Sequence, residues 1–271
     1  MNVSSILVAI DSYSGSRPVI KTAIDLAMKL NAEVRAMYIE DDQWFEVSKF
    51  SFSQQISSFT GQLLPFSETS LAEESKALGS LLENMLSSMS RKVEVKYSYR
   101  SIRGIVDQKL LEAASESDLM VIGRNRYPAR RSVKVGRTSL HMAKHCKIPL
   151  LIWNNGVNFP VHLTGLCKEP GESFETIKWS ILLSEKFEGV AKLIWDKEHQ
   201  IDKDSLIHKK LERIVDDPVS VINRISEIRP GFTPERYRAG FHELLIFQRS
   251  IFDPDLMQES IRQIPNSMLL L

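Results

Sequence analysis

The sequence predicts an α/β protein made of two open, five-stranded, parallel, doubly wound sheets. Three observations predict it. Short apolar runs rich in β-branched residues alternate with stretches of helical period. The first such group, "SSILVAID", a helical stretch and "AEVRAMYIE", is a β-α-β unit, which implies parallel strands and a right-handed crossover. The same alternation recurs beyond residue 160, so the chain divides into domains 1–155 and 160–271.

The elements follow in order. "SSILVAID" is a short apolar run closed by the polar turn "DSYSGSRP" and reads as a buried strand. Pro18 suits a helix first turn, and Val19, Ile20, Ala23, Ile24, Ala27 and Leu30 keep helical spacing to Asn31. "AEVRAMYIE" is the second strand. Residues 43–66 fit no clean period and read as a long, partly ordered excursion holding Trp44, Phe45, Phe50, Phe52 and Phe59. A long helix over 70–90 follows, then a strand "KVEVKYSY", a loop "RSIRG", a helix "IVDQKLLEAASES" and a strand "DLMVIG". After a basic loop, "SLHMAKHC" is a helix and "IPLLIW" a fifth strand.

"NNGVNFPVHLTG" reads as a linker and a new start. The second series is a strand "VHLTGLCK", a helix "ESFETIKWSILLSEKF", a strand "GVAKLIW" and a helix "DKDSLIHKKLERIV". It continues with a strand "VSVINRIS", a short helix "TPERYRAGF", a strand "HELLIF", a helix "DPDLMQESIRQI" and a closing strand "SMLLL". The halves correspond in the order of their elements and hardly in residue identity.

Composition narrows the partners. Of 271 residues, 43% are hydrophobic and 25% charged, enough for a full core. The net charge of +1 gives no global pull toward nucleic acid or a membrane surface. Two cysteines, Cys146 and Cys167, make no disulfide framework, and a reducing cytoplasm is the simpler setting. The start "MNVSSILVAIDSYS" does not read as a signal peptide, and no run approaches the roughly 18 apolar residues of a membrane span.

The chemistry concentrates after the fourth strand. Arg124, Arg126, Arg130, Arg131, Lys134 and Arg137 lie close together, flanked by Gly123 and Gly136, just before a helix start. Glycine-rich backbone beside a helix N-terminus is a natural anion site, and a phosphate is its usual guest. Asp11 ends the first strand, where open α/β sheets bind ligands.

"ILVAIDSYSGSRPVIKTAIDLAMKLNAEVRAMYIED", "RSIRGIVDQKLLEAA" and "SDLMVIGRNRY…VGRTSLHMAKHCKIPLLIW" resemble the universal stress protein family, over most of residues 3–153. For residues 160–271 the resemblance rests on element order, which suggests a tandem protein with a degenerate second repeat. The resemblance implies a Rossmann-like, adenine nucleotide alpha hydrolase-like fold. Nucleotide-binding members carry G-x2-G-x9-G-[ST] at this loop. Here Gly123 and Gly136 keep the spacing, while Arg126 replaces a glycine and Arg137 replaces the hydroxyl residue. An arginine at 126 brings a Cβ and a long side chain into the phosphate space, and also supplies a guanidinium for an anion. Thr138 and Ser139 are the hydroxyls that could substitute. The resemblance further implies Asp11 near adenine and ribose, with Ser12 beside it, and Met37 where backbone meets the base. Candidate site residues are therefore Asp11, Ser12, Met37, Gly123, Arg124, Arg126, Gly136, Arg137, Thr138 and Ser139, with ATP, and Mg accompanying it, as the expected cofactor. In the family the fifth strand is an edge used for dimer contact, so "IPLLIW" and "NSMLLL" are expected to pair within the chain as a pseudo-dimer, with a homodimer as a further level.

Rival readings stay open. The loop could be a solvated surface whose nucleotide site has decayed, leaving an interaction scaffold, or the protein could hydrolyse ATP slowly. Nucleic acid is disfavoured, because the basic loop holds one aromatic, Tyr127. His141 and His145, four apart on a helix, lack a third ligand, so no metal is assigned. The aromatics of the excursion either close the core or form a lid.

Overall fold

The computed structural model describes residues 2–11, 13–57, 60–124, 135–154, 162–167, 173–195, 225–229 and 243–271. Its core is β1 (Ser5–Ile10), α1 (Tyr13–Leu30), β2 (Glu33–Asp41), α2 (Asp42–Ser48), β3 (Gln54–Ile56), β4 (Leu63–Pro65), α3 (Glu68–Arg91), β5 (Tyr97–Gly104), α4 (Val106–Ala114), β6 (Leu119–Gly123), α5 (Arg137–His145) and β7 (Leu150–Trp153). The C-terminal half contributes β8 (His162–Cys167), α6 (Phe174–Lys186), β9 (Val190–Trp195), β10 (Ile225–Arg229), β11 (Glu243–Phe247), a 3-10 turn (Arg249–Ile251), α7 (Met257–Gln263) and β12 (Ser267–Leu270).

Ten strands form one sheet in the order β10-β9-β8-β11-β12-β7-β6-β1-β2-β5, where two sheets were expected. Every neighbouring pair is parallel except β7 and β12, which run antiparallel with Leu269 opposite Leu151. The reason is physical. "LLIW" and "SMLL" are buried on both faces, and an apolar strand with an open edge gains a full ladder by pairing.

Burial explains the strands that were read most directly. β1 and β6 lie in the middle of the sheet between two helical layers, so Ile6, Leu7, Val8, Leu119, Met120 and Val121 are all buried. α1 lays Val19, Ile20, Ala23, Ile24 and Ala27 on the sheet, the stripe its spacing predicts. α1 begins at Tyr13, so Pro18 lies inside the helix, not in its first turn.

Other boundaries moved. "RSIRG" is strand, not loop: β5 pairs along β2 from Tyr97 opposite Val34 to Gly104 opposite Asp41. β5 is an edge strand, and its alternating polar face hid it. It starts late, because Glu94 takes a left-handed φ of 58° in the preceding turn. The excursion holds α2 and the antiparallel hairpin of β3 and β4. α7 is shorter than "DPDLMQESIRQI", since Asp253 accepts from the backbone N–H of Asp255 in a turn before it. The expected helices in 202–215 and 233–241, most of the strand "VSVINRIS" and most of the linker lie outside the described residues; the strand found is β10.

In the C-terminal half, α6 presses hard on β8. A Cβ added at Gly165 would sit 2.7 Å from Leu193 Cδ2 and 2.8 Å from Ser180 Oγ, so a side chain there would force these neighbours to shift. Elsewhere a single carboxylate ties two strand starts. Asp118 Oδ2 accepts from the Ser4 and Ser5 backbone N–H groups, both at 2.9 Å, and from their hydroxyls at 2.7 and 3.1 Å. The Ser4 hydroxyl and these N–H groups hold the Asp118 pKa below the ordinary 3.8.

A depressed carboxylate pKa stabilises the fold above the unfolded value and loses that contribution as pH falls through the folded one. Asp118→Asn should therefore lower stability at neutral pH by about 1 kcal/mol, after allowance for solvent screening. In urea titrations, the gap between variant and parent should close below about pH 4.

Candidate functional site

The sheet order fixes where a ligand can enter. From β1 the chain crosses through α1 to β2 on one side; from β6 it crosses through α5 to β7 on the other. No helix covers the carboxyl ends between these two neighbours, so a crevice opens there. A cleft of about 760 Å³ lies at this point. Asp11, Met37, Gly123, Arg124, Gly136, Arg137, Thr138 and Ser139 all line it. Ser12 and Arg126, with the rest of the basic loop from 125 to 134, lie outside the described residues.

One end of the cleft is built by the start of α5. Its N-cap is Gly136, with no side-chain cap, and Leu140 N–H is the first to reach back, to Gly136 O at 3.1 Å. The amides of Arg137, Thr138 and Ser139 thus have no acceptor within the helix and sit at its positive pole. Three hydrogen bonds hold this end against β6. Arg124 N donates to Trp153 O at 2.8 Å, Gly136 N to Arg124 O at 2.7 Å, and Ser139 Oγ to Gly123 O at 2.8 Å.

These contacts sort the expected residues. The Ser139 hydroxyl is committed to Gly123, which leaves half-buried Thr138 as the hydroxyl for a ligand. Arg137 is exposed at the rim. Arg124 borders the cleft, but its guanidinium runs into the protein, 1% exposed, and donates Nη1 to Asn266 O at 3.1 Å. Burial pulls its pKa down to about 10, still high enough to keep the charge at neutral pH. Asp11 stands exposed at the end of β1, its N–H bonded to Ser16 Oγ at 3.1 Å.

The excursion forms the opposite wall, with Trp44, Phe45, Gln55 and Phe66 on the cleft. Leu71, Glu74, Ser75 and Leu78 of α3 join them at helical spacing. Asp41 caps α2 by accepting from Gln43 N at 3.0 Å and also faces the cleft. One residue rivets this wall. Arg103, at the end of β5, pairs with Asp42 at 2.7 Å and Glu68 at 3.5 Å and lies 3.7 Å over the Phe45 ring. Its hydrogen bond to Asp42 raises its pKa. Sequence reading placed Arg103 in a loop and missed it; the carboxylates at 42 and 68, which open two helices, were the only available signal. Phe50 and Phe52 stack on each other at 5.6 Å and stay exposed.

Two other candidates resolve simply. His141 and His145 stack with ring centres 4.5 Å apart, and His141 Nδ1 lies 3.7 Å from Asp107 Oδ2. Among the described residues no group of three or more His, Cys, Asp or Glu side chains is placed to hold a metal. Cys146 and Cys167 are buried and in no disulfide among the described residues, and burial raises the Cys146 thiol.

Arg103→Met should leave the sheet intact and free the excursion. Limited proteolysis should cut between residues 49 and 66 several-fold faster than in the parent, with only a small fall in Tm.

The sequence matches the universal stress protein family model over residues 2–153. A search of curated proteins gives no match. Among solved structures, the chain is similar to a universal stress protein from Archaeoglobus fulgidus DSM 4304, with a TM-score of 0.66 at 12% identity, covering 99% of this chain and 96% of that one. A putative universal stress protein from Pseudomonas aeruginosa UCBPP-PA14 gives 0.61 at 10% identity, covering 99% and 93%. The cytoplasmic domain of a prokaryotic cation chloride cotransporter gives 0.53 at 10% identity, covering 99% and 95%. At these identities the likeness is one of fold, and it extends through both halves. No helix among the described residues is long and apolar enough to cross a membrane. With more than half its length matched by the family model, the chain belongs to the universal stress protein family.

Proposed function

We propose that the protein is a cytoplasmic stress-response binding or regulatory protein that takes an adenine nucleotide, or another phosphate ligand, in the cleft between β1 and β6. The observation that carries this reading is the meeting of Asp11 with an uncapped helix N-terminus in one cleft. Phosphates would be held by the amides of Arg137, Thr138 and Ser139, with the Thr138 hydroxyl and the Arg137 guanidinium beside them. Asp11 would accept from ribose hydroxyls, and the backbone near Met37 would face the base. Mg would enter with ATP as the counterion of its phosphates.

Gly136 supports the fit. Its φ of −64° suits any residue, and an added Cβ would come no nearer than 3.5 Å to Arg124 O. Among the described residues neither backbone nor packing demands glycine there, whereas close approach of a phosphate would. We read the C-terminal half as a second, divergent copy whose role is structural or protein-binding. What supports this reading is the strand order β10-β9-β8-β11-β12, which runs as β5-β2-β1-β6-β7 does; the β7–β12 junction would then be the seam of a pseudo-dimer.

Isothermal titration with ATP and Mg should show saturable binding below about 1 mM. Gly136→Ala should weaken it at least tenfold while costing no more than about 1 kcal/mol of stability, the usual loss of a poor N-cap. No heat up to millimolar nucleotide would favour the scaffold reading. Phosphate release abolished by Asp11→Asn would mark turnover.

A further inference from the structure

We infer that Arg249, acting with Arg124, positions the anion end of the cleft from the C-terminal half of the chain. The inference rests on the phosphate-site reading for its consequence, though not for its geometry.

The anion end has two supports that belong to residues far away in sequence. Arg124, directly after β6, donates Nη1 at 3.1 Å to Asn266 O, the carbonyl just before β12. Arg249, just after β11, donates Nε at 2.9 Å to Ala143 O and Nη2 at 3.0 Å to Ile148 O. Ala143 lies in the last turn of α5, and Ile148 lies in the turn leading to β7. The two arginines therefore cross the β7–β12 seam in opposite senses. Each follows the strand next to the central pair in its own half and grips backbone before the central strand of the other.

The Arg249 contact has a direct bearing on ligand binding. The last four carbonyls of a helix have no partner within it. In α5, Met142 O takes Cys146 N–H at 2.9 Å, and Ala143 O takes the Arg249 guanidinium. A cation at this pole also complements the helix dipole. α5 spans nine residues, too short to be stable without tertiary contacts. Its far end carries the amides of Arg137, Thr138 and Ser139. What fixes the C-terminal end of so short a helix fixes the N-terminal end as well. Arg249 itself is anchored, since its N–H donates to Leu271 O at 3.1 Å. The Arg249 guanidinium also neighbours the Cys146 thiol. Arg249 is a positioning residue: it acts through α5 and lies outside the cleft wall.

Binding would then select the conformers in which α5 is held, and losing Arg249 would lower their fraction and raise the apparent Kd in proportion. By reciprocity, ligand would tighten the seam.

The test compares full-length Arg249→Met with Arg249→Lys and with Gly165→Ala, which strains the C-terminal half away from α5. Amide hydrogen exchange is followed at Arg137–Leu140, and ATP–Mg affinity is measured by titration. Exchange at these amides should rise tenfold or more in Arg249→Met, less in Arg249→Lys, and not selectively in Gly165→Ala. ATP affinity should fall five- to twentyfold in Arg249→Met and stay within twofold in Gly165→Ala. A loss of Tm in Arg249→Met without selective exchange at α5, or with unchanged affinity, would overturn the inference. If Arg249→Met does not fold, Arg249→Lys against Gly165→Ala decides by the same two readouts. If the parent binds no ATP, the nucleotide reading fails alone, and the exchange comparison still decides whether Arg249 holds α5.

Discussion

β1 and β6 lie side by side, and their chain connections leave in opposite directions. Two parallel strands in that relation cannot have a helix packed across their carboxyl ends. The ends stay open, and whatever the following turns carry must line the gap. Here β1 delivers Asp11, and β6 delivers Gly123 and, through α5, the amides of Arg137, Thr138 and Ser139, which have no acceptor within the helix. The cleft follows from topology before any side chain is considered. One wall carries a helix pole, and the excursion shapes the other, held by Arg103 through Asp42, Glu68 and the face of Phe45.

A second constraint joins this site to the rest of the chain. Continuing the sheet through β7 and β12 removes two apolar edges and leaves ten strands in one layer. The seam so formed runs one strand away from β6. Backbone carbonyls at Asn266, Ala143 and Ile148 lie near that seam, and two arginines donate to them. Buried arginines are costly unless their donors are used. Buried Arg124 and part-buried Arg249 both place donors on backbone acceptors, which fix geometry. The half that lacks a glycine loop is in this way part of the structure that shapes the half that has one.

Much of the first half was legible from sequence because burial on both faces leaves a plain signature. "SILVAI" and "LMVIG" could be little else than central strands, and the Val19 to Leu30 stripe could be little else than a helix on a sheet. Asp11, Gly123 and Gly136 were legible as a site through position and spacing. Edge strands and short elements were not. β5 alternates polar residues over half its length, and α2 and the hairpin are shorter than a reliable period. The ten-stranded union was legible only as an inference from two apolar edges. Least legible were the roles of Arg124 and Arg249. Their acceptors are backbone carbonyls more than a hundred residues away, and a carbonyl has no letter in a sequence. Arg124 read as an anion ligand because it adjoins a glycine in a basic loop, and only its packing shows that the guanidinium turns inward.

The central question is whether the amides at the start of α5 receive a phosphate. The direct measurement is a two-dimensional amide NMR titration of the intact protein with ATP and Mg. Specific binding at the switch point predicts the largest, saturable shifts at Arg137, Thr138 and Ser139, together with Asp11. Shifts confined to other surfaces, or none at these four amides at millimolar nucleotide, would contradict it.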